Sequence, residues 1–173
     1  ELQLKLNLTV AYVTHDQQEA LAVSDRIIVM SNAAIAQEGA PRDLYEEPAN
    51  LFVADFIGDA NLVGGELAEL QGDRARVNLV GVELQLRHRG ARPGPIRVAI
   101  RPESLILAGQ QPAQPSINGR IAKAAYLGTH MEYTVSSALG ELFVVDRRVT
   151  QPYAVDAPVW ISLADHGVTV IPS

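Results

Sequence analysis

The 173-residue sequence contains no cysteine. That excludes a disulfide framework and any thiolate metal site, and it suits a reducing compartment. No apolar run approaches the roughly 20 residues that a membrane-spanning helix needs, and no charged-then-apolar opening resembles a secretion signal. Aromatic residues are scarce, at 5%. Lysine occurs only as Lys5 and Lys123, neither of them in a glycine-rich loop, and no G-x-x-x-x-G-K-S/T string is present. A phosphate-cradling P-loop is thereby excluded. The four histidines (His15, His88, His130, His166) never approach metal-ligand spacing, so no metal site is expected.

Charge is short on one side of the chain. The net charge is -6, but residues 1–60 hold ten acids against three bases, while residues 61–173 hold ten against eleven. Neither part offers the basic groove with stacking aromatics that single-stranded nucleic acid requires, so no nucleic-acid partner is expected. The change of composition near residue 60 predicts a domain boundary, giving units 1–60 and 61–173.

The most informative stretch is Val10 to Leu21. An apolar, β-branched run over Thr9–Thr14 predicts a strand buried on both faces, as in a parallel sheet covered by helices. It stops at His15. Asp16 and Glu19 then form a capping-box pattern that opens a helix running to about Val23. This puts an imidazole beside a helix N-terminus, where free N–H groups favour anions. Before it, Leu2, Leu4, Leu6 and Leu8 fit both strand and helix periods, and the chain opens as if an element were already under way.

Further on, Arg26–Met30 predicts a second strand and Ala33–Glu38 its antiparallel partner across a turn at Ser31-Asn32. Pro41 opens a short helix through Tyr45, and Asn50 caps another with Phe52, Val53, Phe56 and Ile57 on one side. After residue 60, strands are expected at 62–70, 74–79, 82–87, 96–100, 117–126, 131–136, 141–146, 158–163 and 168–171, punctuated by glycine turns. That rhythm predicts a small all-β barrel or sandwich. Ala108–Ser116 reads as a mobile linker between two halves of it. His130 is expected in a strand start after the Gly128 turn, the Arg87–Arg92 loop in solvent, and Arg101 with Glu103 in an ion pair around Pro102.

Two strings, YVTHDQQEALAVSDRIIVM at 12–30 and IAQEGAPRDLYEEPANLFVADFIGDAN at 35–61, resemble the C-terminal end of ABC-transporter ATPase subunits. The likeness is to the importer branch serving sugars, polyamines and ferric iron. The remainder resembles that branch's appended TOBE domain, an OB-like barrel, most clearly at Val98-Ala99-Ile100-Arg101-Pro102-Glu103. The implied architecture is an α/β fragment of a nucleotide-binding domain followed by an all-β barrel.

The resemblance assigns His15 as the switch histidine, a catalytic residue that contacts the ATP γ-phosphate in the intact protein. It implies ATP and Mg2+ as cofactors of the full-length subunit and none for this chain alone. It implies a homodimer working with permease subunits and a periplasmic or extracellular solute-binding protein, at the cytoplasmic face of the membrane. Ferric iron and polyamine are the favoured cargoes. Walker A, signature and Walker B motifs are missing, so the chain by itself is expected to be regulatory, dimerising and inactive as an ATPase. Ala33-Ala34 stands where the family usually has a glycine, and Asn32 is expected to supply the positive φ of the turn. A strand at Thr9–Thr14 without parallel neighbours is expected to self-associate or to leave the ordered fold. The alternative function is a module that senses a small oxyanion or the transported solute.

Overall fold

A computed structural model describes residues 8–172; the leucine pattern at Leu2, Leu4 and Leu6 lies outside that range. Helix α1 is Gln17–Val23. Strands β1 (Ile27–Ser31) and β2 (Ala34–Gly39) form a hairpin, followed by α2 (Pro41–Glu46) and α3 (Leu51–Phe56). The rest is β-structure: β3 (Asn61–Gln71), β4 (Arg74–Leu79), β5 (Val82–Arg87), β6 (Gly94–Ile100), β7 (Leu105–Ala108), β8 (Ile117–Tyr126), β9 (Met131–Ser137), β10 (Gly140–Asp146), β11 (Pro158–Leu163) and β12 (Val168–Ile171).

These strands make two five-stranded sheets, ordered β12-β6-β3-β4-β5 and β10-β9-β8-β11-β7, with every pairing antiparallel. Alternating side chains explain the main core. In β4, Ala75, Val77 and Leu79 point inward, and in β9 Met131, Tyr133 and Val135 do the same. They meet Val98 and Ile100 of β6 and Leu142 and Val144 of β10 between the sheets. Asn61 stitches the layers with polar bonds. Its amide donates to the Ile100 carbonyl at 3.2 Å and the Phe143 carbonyl at 2.8 Å, and its Oδ1 accepts from the Phe143 N–H at 2.7 Å.

The chain crosses between the sheets at two adjacent places. One is the 3-10 turn Pro102–Ser104 between β6 and β7, and the other is the 164–167 turn between β11 and β12. They are laced by Arg101 N–H to the Gly167 carbonyl (2.8 Å) and Ala164 N–H to the Ser104 carbonyl (2.9 Å). Gly167 has φ +69°, and a Cβ there would collide with the Ser104 hydroxyl, so only glycine fits.

A second core holds the preceding segment together. Ile27 and Val29 of the hairpin pack against Leu44, Val53 and Ile57, with Ala20 and Leu21 of α1 on its margin. A seam of Ala54, Ala60, Ala99 and Ile171 joins this unit to the barrel.

Three expectations change. Residues 8–14 form no strand, and Val13 is 96% exposed. A strand buried on both faces needs partners, and the described residues place none beside it; among them, the only sheet in the first sixty residues is the β1–β2 hairpin. Asn32 has the positive φ expected of it (50°), but Ala33 shares the left-handed conformation (φ 63°) and so belongs to the turn and not to the strand expected at Ala33–Glu38, joining Ser31 to its partner Ala34. That is the pattern of a type I′ loop, which suits the twist of a tight hairpin. Finally, Ala108–Ser116 does not divide the β region in two: β7 and β8, which it links, both flank β11 in one sheet. Strand β7 itself escapes the sequence pattern because it is four residues long and follows a 3-10 turn directly.

Candidate functional site

His15 is exposed and sits one residue before the α1 cap. Asp16 Oδ1 accepts from the Glu19 N–H at 2.9 Å, which is half of a capping box. The other half is replaced. The Asp16 N–H goes to Thr14 Oγ1 at 3.0 Å, and Glu19 Oε2 accepts from the Tyr12 hydroxyl (3.0 Å) and the Thr14 hydroxyl (3.1 Å). The segment that leads to His15 is therefore held by the first turn of α1 and its own short-range bonds. Among the described residues, no hydrogen bond is made by the His15 ring.

The α1 helix lies over a groove against the barrel, with a volume of about 590 Å3. The groove is lined by Gln17 and Leu21 of α1, Tyr45 of α2, and Glu103, His130 and Glu132 of the β region. Two of its lining residues are bonded to each other, the Gly58 N–H donating to Gln17 Oε1 at 3.5 Å. His130 is held locally by Thr129 Oγ1 at 3.0 Å and Glu132 at 3.4 Å, and β9 begins at the next residue with the expected alternation. Among the described residues, no three His, Asp or Glu side chains are grouped as metal ligands.

The strongest polar constellation was not legible as such in the sequence. Arg101 is only 2% exposed. Its guanidinium donates to the Ala54 carbonyl at 2.9 Å, to the Ile57 carbonyl, and twice to the Tyr45 carbonyl. These oxygens belong to the last turns of α2 and α3, where helix carbonyls lack intrahelical partners and a cation is favoured. The same guanidinium stands 4.0 Å from the centre of the Tyr45 ring. Burial pulls its pKa down, and the neighbouring Tyr45, Glu103 and Asp59 oppose that pull.

The expected ion pair between Arg101 and Glu103 is not formed. Glu103 instead accepts the Tyr45 hydroxyl, because Pro102 starts a 3-10 turn that sends the two side chains to different neighbours. Burial, followed by the bond to Glu103, raises the Tyr45 pKa above its ordinary value.

The basic loop is also not simply solvated. Arg89 donates to the Pro48 carbonyl at 2.8 Å, the Glu47 carbonyl at 3.0 Å and the Val170 carbonyl at 3.1 Å, while Arg87 pairs with the Glu47 carboxylate. Its acidic partner lies in its own chain. A charge in sequence tells nothing of whether a carbonyl end will be packed against it.

At the end of β10, Arg148 forks onto Asp146 and donates to the Leu107 carbonyl at 2.7 Å. Burial raises the Asp146 pKa, but the bonds from Arg148 outweigh it and hold the carboxyl below its usual value.

The described residues do not by themselves fit ATP. The one described lysine, Lys123, is on β8 in the barrel, and no glycine-rich loop faces the exposed His15 imidazole.

Comparison with known proteins places these features. The TOBE domain family matches residues 98–171. The chain is 47% identical over 171 residues to the Fe(3+) ions import ATP-binding protein FbpC 1 of Rhizobium meliloti, covering 99% of this chain and 48% of that protein. It is 45% identical over the same shares to FbpC of Brucella abortus. It is also 40% identical over 145 residues to the spermidine/putrescine import ATP-binding protein PotA of Nitratidesulfovibrio vulgaris, covering 80% of this chain and 39% of that protein. The chain thus spans about half the length of the relatives it matches. Among solved structures, the cytoplasmic molybdate-binding protein ModG superposes with a TM-score of 0.52 at 13% identity, over 65% of this chain and 96% of that one. That likeness establishes the OB-like β architecture.

Proposed function

We propose, from the TOBE family match at residues 98–171 and the likeness over nearly the whole chain to ATP-binding proteins of ferric-iron import, that the chain is the C-terminal portion of the ATP-hydrolysing subunit of an ABC importer, with ferric iron as the preferred cargo and a polyamine as the alternative. The observation that carries this is the continuity of the ferric-iron likeness through the helical unit and the barrel alike. Residues 1–60 belong to the nucleotide-binding domain in this reading. Residues 61–173 are the regulatory and dimerising barrel.

ATP and Mg2+ are held by the rest of the subunit, since the residues described here make no cradle for them. His15 supplies one donor to the γ-phosphate across the closed homodimer. Its support is chemical: an exposed imidazole at the mouth of a capped helix can reach a ligand that other walls hold. The assembly works at the cytoplasmic face of the membrane with permease subunits and an external solute-binding protein. Among the described residues, no helix is long and apolar enough to cross a membrane.

The test is His15→Ala in the whole subunit, with ATP turnover and uptake of radiolabelled iron and spermidine measured side by side. Turnover and iron uptake are expected to collapse together. Wild-type turnover in that variant would remove the role given to His15, and spermidine uptake without iron uptake by the unmutated subunit would reassign the cargo.

The groove beneath α1 favours a second reading, a module that senses a small solute. Its walls include Asp59, Glu103 and Glu132 against the single arginine Arg147, a balance that suits a cation better than an oxyanion. Calorimetry on this chain with spermidine and with molybdate tests it, and no heat from either leaves only the structural role.

A further inference from the structure

A helix of seven residues does not hold its own position. What fixes α1, and with it the first-turn network that leads to His15, is what α1 rests on. Two supports are visible. Ala20 and Leu21 pack at the margin of the core that contains Leu44, Val53 and Ile57. Gln17, two residues after His15, accepts the Gly58 N–H.

Both supports end on groups gripped by the barrel. Gly58 follows directly on Ile57, whose carbonyl Arg101 binds. It also lies against the Tyr45 ring so closely that a Cβ would come within 2.6 Å of it. Tyr45 gives Arg101 both its carbonyl and its ring face. One buried guanidinium from the barrel therefore organises the C-terminal ends of α2 and α3, and those ends form the seat of α1.

We infer that Arg101 is a positioning residue for His15, setting through Tyr45, Gly58 and Gln17 where α1 presents its first turn. This rests on the reading of His15 as the phosphate-contacting residue. It assigns the barrel a direct mechanical hold on the nucleotide side of the subunit, in which Arg101 is the side chain that reaches the ends of both α2 and α3.

Two arms test it. In this chain, hydrogen exchange of Arg101→Ala is expected to speed up by about tenfold over residues 17–23 and 51–58 together, with β9 and β10 unchanged. Faster exchange at 51–58 with α1 unaltered would overturn the inference, because the hold would then stop short of α1. Gln17→Ala, a change at a half-buried side chain that leaves Arg101 in place, is expected to loosen residues 17–23 alone. No loosening there would equally overturn it.

In the whole ATP-binding subunit, Arg101→Ala and Gln17→Ala are each expected to lower kcat while the KM for ATP stays at the wild-type value, and neither is expected to add anything in a His15→Ala background. A loss that persists undiminished in that background would overturn the link to His15 while leaving the His15 reading intact. Normal turnover of His15→Ala alone would overturn the His15 reading, and with it the positioning role, whatever happens to exchange at α1.

Discussion

Arg101 and Tyr45 meet at both ends of the tyrosine: the guanidinium carbon lies 4.0 Å from the ring centre, and its Nε donates to the tyrosine's own carbonyl at 3.2 Å. A single cation thus stabilises the aromatic face and the free carbonyl end of the helix that carries it. Removing it exposes two kinds of loss. The ring loses its cation, and buried carbonyls of Tyr45, Ala54 and Ile57 lose their donors.

Arg101→Met keeps much of the side-chain volume but none of the donors. It is expected to cost about 3 kcal/mol of unfolding free energy. Arg101→Lys should recover only part of this, because one ammonium cannot span three carbonyls as the guanidinium fork does. Urea denaturation of this chain measures both, and equal stability of the Met variant and the wild type would contradict the account.

Ala33→Gly is expected to stabilise the chain by about 1 kcal/mol, since Ala33 holds a left-handed φ of 63° that glycine adopts without a Cβ clash. Thermal melting should show an upward shift, with the barrel spectrum unchanged. Ala33→Val should shift it downward.

Asn61→Ala is expected to cost about 2 kcal/mol, because it leaves the Phe143 N–H and carbonyl without their buried partner. Exchange of the Phe143 amide should rise more than that of neighbouring β10 amides. A uniform change along β10 would mean the two sheets are not pinned at that point.

Tyr45 makes stability fall in alkali. Its folded-state pKa lies above its ordinary value through burial and the Glu103 bond, so the protonated phenol is the form that folding favours. The contribution is complete below the unfolded value of about 10 and is lost as pH rises through the folded one. Tm should therefore drop on the alkaline side of pH 10. Tyr45→Phe should flatten that limb in part, leaving the slope due to Tyr133, which burial also raises. An unchanged alkaline slope in Tyr45→Phe would contradict this.

The β region was legible because its residues alternate. Strands β4, β5, β8, β11 and β12 lie at the residues that the pattern marks, since period-two burial and glycine turns are local properties of the chain. The caps at Asp16 and Asn50 were legible for the same reason: each bonds an N–H only three residues away. Thr9–Thr14 misled because a two-sided buried strand is defined by neighbours, and β-branched residues record only a willingness to be one. Arg101 misled in a different way. Its partners lie 44 to 56 residues away and are main-chain oxygens, which carry no residue identity to read.

Every hydrogen bond by which Arg101 holds α2 and α3 ends on a peptide oxygen. Such acceptors exist at the end of any helix, whatever its side chains. The helices beneath can drift in composition, provided the small alanine seam and the tyrosine ring are kept, while the arginine itself has no substitute with the same fork. The constraint is lopsided: the guanidinium fork is demanded of one barrel residue, while the peptide oxygens it grips make no demand on the side chains that carry them. A junction of that type lets one barrel be paired with divergent helical units over evolutionary time, and it makes the arginine the first position to check when such units are exchanged by design.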